Sequence, residues 1–244
     1  MRLHPGLLVP AFVSVLGCAR ADETSKPLPA PTADSAPSKL ASETAVLAGG
    51  CFWGMQGVFQ HVKGVSQVVS GYSGGSDPKG GYEEVSSGTT GNAESIRVTF
   101  DPKLVSFGQL LRVYFSTMDP TELNYQGPDQ GTQYRSAIFT TNADQKRVAG
   151  AYVAQLTKAH AFSGKIVTQV APFRAFYRAE DYHQDYLIHH PSQPYIAIND
   201  LPKISTLKAF YPQLWHEQPV MVFPGRTQKE KASLAPTNVG RGSG

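Results

Sequence analysis

The chain has 244 residues, of which 41% are hydrophobic, and this is enough for one buried core of ordinary size. Its 22 basic and 19 acidic side chains give a formal net charge of only +3, so the sequence has no basic stripe of the kind that binds nucleic acid. Its two cysteines are too few for a disulfide scaffold or for a zinc site built from several cysteines.

The first 17 residues have the organisation of a secretory signal. Arg2 and His4 precede an apolar stretch over residues 6–16, which is too short to span a bilayer as a helix. The stretch ends in Val-Leu-Gly before Cys18, which resembles a bacterial lipobox. That resemblance implies cleavage before Cys18, a lipid on this cysteine, and anchoring in a bacterial cell envelope facing the periplasm. Alanine in place of aspartate after the cysteine favours the outer membrane. The alternative is an ordinary secretory signal in which the cysteine has no role.

Two segments flanking the predicted domain have the composition of linkers. Residues 19–42 hold six Ala, four Pro, four Ser and two Thr and no aromatic residue, so they cannot form a core of their own. Extended at about 3.1 Å per residue, such a linker would hold a domain up to roughly 75 Å from its anchor. The tail over 217–244 loses its hydrophobic pattern and is predicted to be disordered. The working domain is therefore predicted over residues 43–216.

Within these limits strands and helices alternate. Thr44–Ala48 is predicted to be a short buried strand, and two glycines then lead into a helix that opens near Cys51. This alternation predicts an α+β fold, a two-layer α/β sandwich with a ferredoxin-like core in which helices pack on a mixed sheet. Further strands are predicted at 65–72, 96–100, 134–140 and 165–170, and further helices at Ser106, with Gln109 three residues on, and at Asn142, with Gln145.

Cys51 is the only free thiol of the chain if Cys18 carries a lipid. It lies between a predicted strand and a predicted helix, in the sequence Gly-Gly-Cys-Phe-Trp-Gly. The first turn of a helix offers unpaired N–H groups and the positive end of the helix dipole, and both favour a thiolate. The alternative is that Cys51 is a small buried hydrophobe, with Phe52 and Trp53 packing in the core. We interpret Cys51 as a reactive nucleophile.

Glu94 is the second candidate for chemistry. It has the same strand parity as Ile96, Val98 and Phe100, so its side chain is predicted to face the apolar side of its strand. Burial disfavours the charged form of a carboxyl and raises its pKa, which suits a general acid near neutral pH. The alternative is a solvated glutamate at a frayed strand end. A nucleophilic sulfur together with a protonated carboxyl suits a reaction that expels an oxygen.

At these residues the chain resembles the peptide methionine-S-sulfoxide reductases, the MsrA family. The resemblance covers roughly residues 44–211 and rests on five separated segments in the same order along the chain. They are Gly50–Gly54 around the cysteine, Gly74-Gly75 through Gly81–Val85, Gly91–Glu94, Gly127–Ser136 and Ala179–Gln184.

The resemblance implies a thiol-dependent oxidoreductase that repairs oxidised proteins by reducing methionine S-sulfoxide, peptide-bound or free. Cys51 would attack the sulfoxide sulfur as a thiolate, Glu94 would protonate the oxygen, and Cys51 would be left as a sulfenic acid. The remaining implied substrate-binding residues are Tyr82 and Tyr134 at the oxygen, Phe52 and Trp53 at the S-methyl group, and Asp129 at the substrate backbone.

The chain departs from the family pattern at two points. Asn92 stands where the family usually has histidine, which puts the geometry of that loop in question. The C-terminal tail lacks the resolving cysteines that many members carry. We therefore expect an external thiol, from a thioredoxin-like protein or a small molecule, to reduce the sulfenic acid directly. We expect no cofactor or metal, no nucleic-acid partner, membrane contact through the lipid anchor only, and a monomer.

Three other functions compete with this interpretation. A cysteine hydrolase would use Cys51 with His183 and Asp185, although a spacing of two residues suits orientation of the histidine poorly. A noncatalytic, lipid-anchored binding module on a reductase-like fold would leave Cys51 unused. A metal-binding module would draw on His183, Asp185, His189 and His190.

Overall fold

The computed structural model describes residues 27–36, 38–75 and 81–225. The predicted signal peptide, Cys18, the first part of the predicted linker and the end of the tail lie outside these residues. Within the described part of the chain, no helix is both long enough and apolar enough to cross a bilayer.

Six of the eight strands in the described ranges form one sheet, and helices pack against it. The strands are β1 (Glu43–Ala48), β2 (Val65–Ser73), β3 (Ala93–Phe100), β4 (Tyr125–Gln126), β5 (Asp129–Gln130), β6 (Ala137–Thr140), β7 (Gln169–Pro172) and β8 (Phe176–Arg178). The helices are α1 (Phe52–Gln60), α2 (Tyr82–Ser86), α3 (Phe107–Phe115), α4 (Ala143–Lys158), α5 (Tyr186–His189) and α6 (Leu201–Phe210).

The large sheet is mixed and has the strand order β7-β6-β1-β3-β2-β8. All of its neighbouring strands are antiparallel except β6 and β7, which are parallel. Strands β4 and β5 form a separate two-stranded hairpin. The predicted α+β fold, a mixed sheet with helices packed on it, is confirmed.

Alternation along the central strands divides the apolar side chains between the two faces of the sheet. Ala45 and Leu47 of β1 belong to the main core, which also holds the helices. Val46 and Ala48 of the same strand belong to a smaller cluster on the opposite face. The helices therefore lie on the face toward which Ala45 and Leu47 point.

The helix starts predicted from capping residues are present. Ser106 accepts a hydrogen bond from the Gln109 N–H, and the Gln109 side chain accepts one from the Ser106 N–H, so α3 begins with a capping box. Asn142 accepts a hydrogen bond from the Gln145 N–H at the start of α4. Two predicted strands are shifted: residues 134–140 begin with a 3-10 turn and become a strand only at 137, and the last predicted strand begins at 169.

The second part of the predicted linker packs on the domain. We call residues 27–36 the N-terminal strap. Its Leu28 is only 4% exposed and belongs to the main core. Side chains of α3 and α4 bind its carbonyl groups: Arg112 Nε donates to Leu28 O at 2.7 Å, Tyr152 Oη to Pro29 O at 2.9 Å and Gln155 Nε2 to Ala30 O at 2.7 Å.

Asp34 joins the strap to the start of α3. Its Oδ1 accepts a hydrogen bond from the Gly108 N–H at 2.9 Å, and its Oδ2 accepts a short one from the Ser106 hydroxyl. A carboxylate at this position also complements the helix dipole. The prediction of a free linker up to residue 42 is therefore wrong for the strap, because a segment that cannot form its own core can still pack on another.

The C-terminal boundary also extends beyond the predicted one. The Val220 N–H donates to Gln60 O at 3.0 Å, and the Val222 and Phe223 N–H groups donate to the Asp185 carboxylate at 3.0 Å each. The predicted disorder from residue 217 is therefore wrong for 217–225. Residues 226–244 lie outside the described part of the chain.

Candidate active site

Cys51 lies between the end of β1 and the start of α1. It occupies the N-cap position of α1 and is 8% exposed. Gly50, with φ of +84°, makes the turn before it, and a Cβ there would come within 2.6 Å of Gln126 Cγ. The two constraints explain why a glycine precedes the cysteine.

The protein environment disfavours a thiolate in the resting state. Burial raises the pKa of the Cys51 thiol well above its usual range, and the carboxyl groups of Glu94 and Asp200 raise it further. A hydrogen bond from the Trp53 N–H lowers it, as expected at a helix start, but does not outweigh burial. Burial thus favours the neutral thiol of Cys51, in opposition to the helix start that the sequence pointed to.

Glu94 lies on β3 and faces the helices, as its strand parity predicts. Its side chain is 4% exposed, and its Oε2 accepts a hydrogen bond from the Phe52 N–H at 3.0 Å. Burial raises its pKa to about 8, and the carboxyl groups of Asp129 and Asp200 act in the same direction. Glu94 is therefore mostly neutral at pH 7 and has a proton to give.

Two tyrosine hydroxyls lie near this acid. Tyr82 begins α2, and Tyr134 ends the 3-10 turn Thr132–Tyr134. Burial raises the pKa of both phenols, and the charge of Glu94 raises each further. Cys51 also contributes to both shifts, which places the thiol, the acid and the two phenols within electrostatic range of one another. Both hydroxyls remain hydrogen-bond donors across the neutral pH range.

Asp129 lies on β5 and is held by a residue that the sequence analysis did not identify. Its Oδ2 accepts a short hydrogen bond from the hydroxyl of Tyr195. Burial raises the pKa of Asp129, while this hydrogen bond and the positive charge of Lys203 lower it. A carboxyl at the edge of a site, fixed by a hydroxyl, suits a role in binding the substrate backbone.

The side chains after Cys51 form an aromatic wall. Phe52 is buried, and the Trp53 ring stacks on Tyr186 with centroids 3.9 Å apart and planes 13° apart. The edge of Tyr195 contacts Trp53, with centroids 6.3 Å apart. Aromatic surfaces of this kind favour an S-methyl group through sulfur–aromatic and apolar contacts.

An ion pair that the sequence analysis also missed packs against the first turn of α1. Asp200 is fully buried and pairs with Lys203 Nζ at 2.9 Å. A Cβ on Gly54 would come within 2.1 Å of Asp200 Oδ1, so the glycine makes room for this carboxyl. The residues missed from the sequence all come after the last matched motif: Tyr195, Asp200 and Lys203. The one hint in the sequence was Gly54, since a glycine after Trp53 indicates that another side chain packs closely against the start of α1.

Asn92, where the chain departs from the family pattern, makes two hydrogen bonds within its loop. Its Oδ1 accepts a hydrogen bond from the Gly75 N–H at 2.9 Å, and its own N–H donates to Thr90 Oγ1 at 3.1 Å. Asn92 is buried and lies two residues before Glu94. The amide thus supports the loop that leads into the acid.

The geometry does not support the hydrolase and metal-binding alternatives. His183 Nδ1 accepts a hydrogen bond from Trp53, and the carboxylate of Asp185 binds Gln60 and the backbone of 222–223, so Asp185 does not orient the histidine. Within the ranges that the structure describes, no three His, Cys, Asp or Glu side chains are grouped to hold a metal ion.

Comparison with known proteins gives a consistent result. The family model described as peptide methionine sulfoxide reductase matches residues 43–214. A protein named peptide methionine sulfoxide reductase MsrA 2 from Mesorhizobium japonicum is 57% identical over 182 residues, which cover 74% of this chain and 93% of the relative. A protein of the same name from Synechocystis is 49% identical over 191 residues, which cover 77% of this chain and 89% of that relative.

Solved structures show the same relationship. Methionine sulfoxide reductase A of Corynebacterium diphtheriae superposes with a TM-score of 0.57 at 34% identity, covering 68% of this chain and 84% of that one. The reduced form of Mxr1 from Saccharomyces cerevisiae gives a TM-score of 0.57 at 33% identity, covering 65% and 91%.

Proposed function

The chain belongs to the peptide methionine sulfoxide reductase family, and we propose that it reduces methionine S-sulfoxide, in proteins and as the free amino acid, to methionine. The observation that carries this proposal is the position of a neutral acid beside the nucleophile. Glu94 accepts a hydrogen bond from the backbone N–H of Phe52, which directly follows Cys51 in the chain. Because its pKa is raised to about 8, Glu94 is mostly protonated at pH 7. The two groups together can break a sulfur–oxygen bond.

In the proposed reaction the sulfur of Cys51 attacks the sulfoxide sulfur while Glu94 gives its proton to the sulfoxide oxygen. Because burial favours the neutral thiol of Cys51, the thiol proton must also be removed, and it passes to the carboxylate of Glu94 once Glu94 has given its own proton away. Glu94 is therefore protonated again at the end of the step. The sulfur–oxygen bond of the substrate breaks as the hydroxyl moves to Cys51. The products are methionine and a cysteine sulfenic acid, and the electron pair gained by the substrate sulfur is the one that Cys51 loses.

The chemistry of the surrounding side chains supports recognition of one sulfoxide epimer. The hydroxyls of Tyr82 and Tyr134 offer donors for the oxide, whereas Phe52 and Trp53 offer an apolar surface for the methyl group. The chirality at the sulfoxide sulfur decides whether the oxygen can reach the tyrosine hydroxyls while the methyl group packs on the aromatic rings. The proposal assigns the fitting epimer as S, following the family resemblance, with Asp129 binding the substrate backbone.

An external thiol completes the proposed cycle. Cys51 is the only cysteine in the described part of the chain, and the sequence contains one other, Cys18. A thiol of a thioredoxin-like protein or a small molecule would attack the sulfenic acid and release water, forming a mixed disulfide with Cys51. A second thiol of the reductant would then displace Cys51 as a free thiol and leave the reductant as a disulfide.

We further propose that a lipid on Cys18 anchors the enzyme, as a monomer, in a bacterial cell envelope, facing the periplasm and more specifically on the outer membrane. Because the strap packs on the domain from residue 27, the tether would consist of residues 19–26, which at about 3.1 Å each reach roughly 25 Å. The domain would then work close to the membrane. Incorporation of labelled palmitate by the full chain but not by a Cys18→Ala variant would test the anchor.

A noncatalytic binding module on the same fold is the alternative function. The presence of the nucleophile, the neutral acid and both phenols at one place favours the enzyme. The test is turnover of the separate S and R epimers of a methionine-sulfoxide peptide with dithiothreitol, using wild type and Cys51→Ser. The enzyme proposal expects turnover of the S epimer only, lost in Cys51→Ser. No turnover of either epimer by folded wild type would favour the binding module.

A further inference from the structure

The segment Ala179–Gln184 matches the family pattern, yet none of its side chains has a part in the reaction proposed above. Its His183 is only 2% exposed. The imidazole lies among the aromatic side chains of the site, with ring centroids 5.0 Å from Phe52 and 4.6 Å from Tyr82. A buried polar ring that contacts both sides of a substrate pocket is placed to set the pocket's shape.

The hydrogen bond between Trp53 and His183 defines the state of the histidine. Trp53 Nε1 donates to His183 Nδ1 over 3.1 Å. An indole N–H can only donate, so Nδ1 must be without a proton. The imidazole is therefore neutral and carries its proton on Nε2, since a doubly protonated ring could not accept this bond.

Glu180 faces the other nitrogen of the ring. Its Oε2 lies 3.9 Å from His183 Nε2, too far for a hydrogen bond, so Nε2 is buried without a hydrogen-bond partner and interacts with the carboxylate through its charge alone. The same Oε2 accepts a hydrogen bond from Tyr72 Oη at 3.1 Å. Its Oε1 accepts one from the Tyr82 N–H at 3.0 Å, at the start of α2. A carboxylate in front of Nε2 favours the tautomer that has its proton there. The same carboxylate thus contacts the backbone of Tyr82 and faces the histidine that binds Trp53.

We propose that His183 and Glu180 are positioning residues of the reductase: neutral His183 holds the indole of Trp53 against the methyl position, and Glu180 faces Nε2 of His183 while it holds the backbone of Tyr82. The chain of contacts therefore links an apolar wall of the pocket to an oxide donor. Its kinetic consequences rest on the proposed function, whereas the tautomer and the hydrogen bond do not.

The titration of the ring is consistent with this role. Burial lowers the pKa of His183 to about 4, and the charge of Glu180 opposes the shift only in part. The other groups that face the ring are aromatic: Phe52 and Trp53 from α1, Tyr82 from α2, and the neighbouring Tyr182. Tyr72 of β2 donates a hydrogen bond to Glu180. The ring therefore stays neutral throughout the pH range in which the enzyme would work.

Two variants of nearly equal shape separate the hydrogen bond from packing. Asparagine and leucine branch alike at Cγ, but only His183→Asn keeps an acceptor near the position of Nδ1. We expect His183→Leu to lose about tenfold more in kcat/KM than His183→Asn, because the partly buried indole N–H is left without its partner. The loss should fall mainly in KM, since Trp53 contacts the S-methyl group before the reaction as well as during it.

Nuclear magnetic resonance gives a readout that does not depend on activity. In wild type, nitrogen shifts should show His183 protonated at Nε2 only. The Trp53 indole N–H signal should move upfield and exchange faster with water in His183→Leu but not in His183→Asn. The indole of Trp215, which donates to Glu217, serves as the internal control and should not move.

Protonation of wild-type His183 at Nδ1, or equal indole shifts and equal KM values in the two variants, would overturn the proposal. If neither variant folds, the tautomer measured in wild type still decides it. Wild type that shows the expected tautomer and indole signal but reduces neither sulfoxide epimer would count against the proposed function and leave the positioning contacts standing.

Discussion

The backbone N–H of Phe52 donates to Oε2 of Glu94 at 3.0 Å, which joins the residue after the nucleophile to the proton donor across 42 positions of sequence. The bond ties the start of α1 to β3, so the thiol and the acid cannot move apart independently. It also leaves Oε1 of Glu94 as the oxygen that carries the proton. This backbone hydrogen bond thus fixes the position of the Glu94 carboxyl relative to the start of α1, where Cys51 lies.

The pH dependence of turnover should report this acid. The pKa of Glu94 is raised to about 8, so the protonated form is present below that pH and is lost as the pH rises through it. We expect kcat/KM for the S epimer to fall above pH 8 in wild type. Glu94→Gln should lower kcat about 10²- to 10³-fold and remove this fall, because an amide has no proton to transfer. A fall of equal size in Glu94→Gln would show that another group controls the profile.

The two phenols should contribute separately to binding the oxide. Tyr82→Phe and Tyr134→Phe each remove one donor, and we expect each to lower kcat about ten- to a hundredfold. Tyr152→Phe is the matched control, because its hydroxyl binds the carbonyl of Pro29 in the strap and not the site. Steady-state kinetics on a methionine-sulfoxide peptide measures all three. Unchanged turnover in both site variants would exclude the assigned role.

The strap should stabilise the domain without affecting chemistry. Leu28→Ala empties a buried position of the main core and should lower the free energy of unfolding by about 2 kcal/mol, with KM unchanged. Leu40→Ala provides the control, since Leu40 is 59% exposed and its truncation should cost less than about 0.5 kcal/mol. Urea denaturation of the two variants gives the comparison. Equal stability would mean that the strap is not docked in solution.

Asp185 should hold the C-terminal segment on the domain. Its Oδ1 accepts hydrogen bonds from Gln60 Nε2 at 2.6 Å and the Val222 N–H at 3.0 Å, and Oδ2 accepts one from the Phe223 N–H at 3.0 Å. Asp185→Asn replaces one acceptor oxygen with an NH₂ group that faces an N–H donor. We expect this change to lower the free energy of unfolding by about 1–3 kcal/mol.

Hydrogen exchange at the Val222 and Phe223 amides should accelerate in Asp185→Asn. Asp144→Asn is the control, because it breaks only a solvent-exposed ion pair with Arg147. Its free energy of unfolding should change by less than about 1 kcal/mol. Protection of both amides in Asp185→Asn would contradict the assigned contact.

The sequence predicted the strand parity of Glu94 and the helix start at Cys51, because both depend on local periodicity and on glycines. It could not predict that the pKa of the Cys51 thiol is raised, since burial by distant segments outweighs the local helix start. Nor could it predict Tyr195 and Lys203, which reach the site only after the chain folds back through α5. The docking of the strap was hidden for a similar reason: much of it uses backbone carbonyls, which composition does not reveal.

In the proposed reaction Cys51 alone supplies the electrons that reduce the substrate, and a single-turnover experiment can count them. Reduced protein is mixed with S-sulfoxide peptide in the absence of added thiol, methionine is counted, and Cys51 is analysed by mass spectrometry with a sulfenic-acid trap. We expect one methionine per chain and a trapped sulfenic acid on Cys51. Methionine formed with Cys51 still a free thiol, or with Cys51 in an intramolecular disulfide, would contradict this expectation.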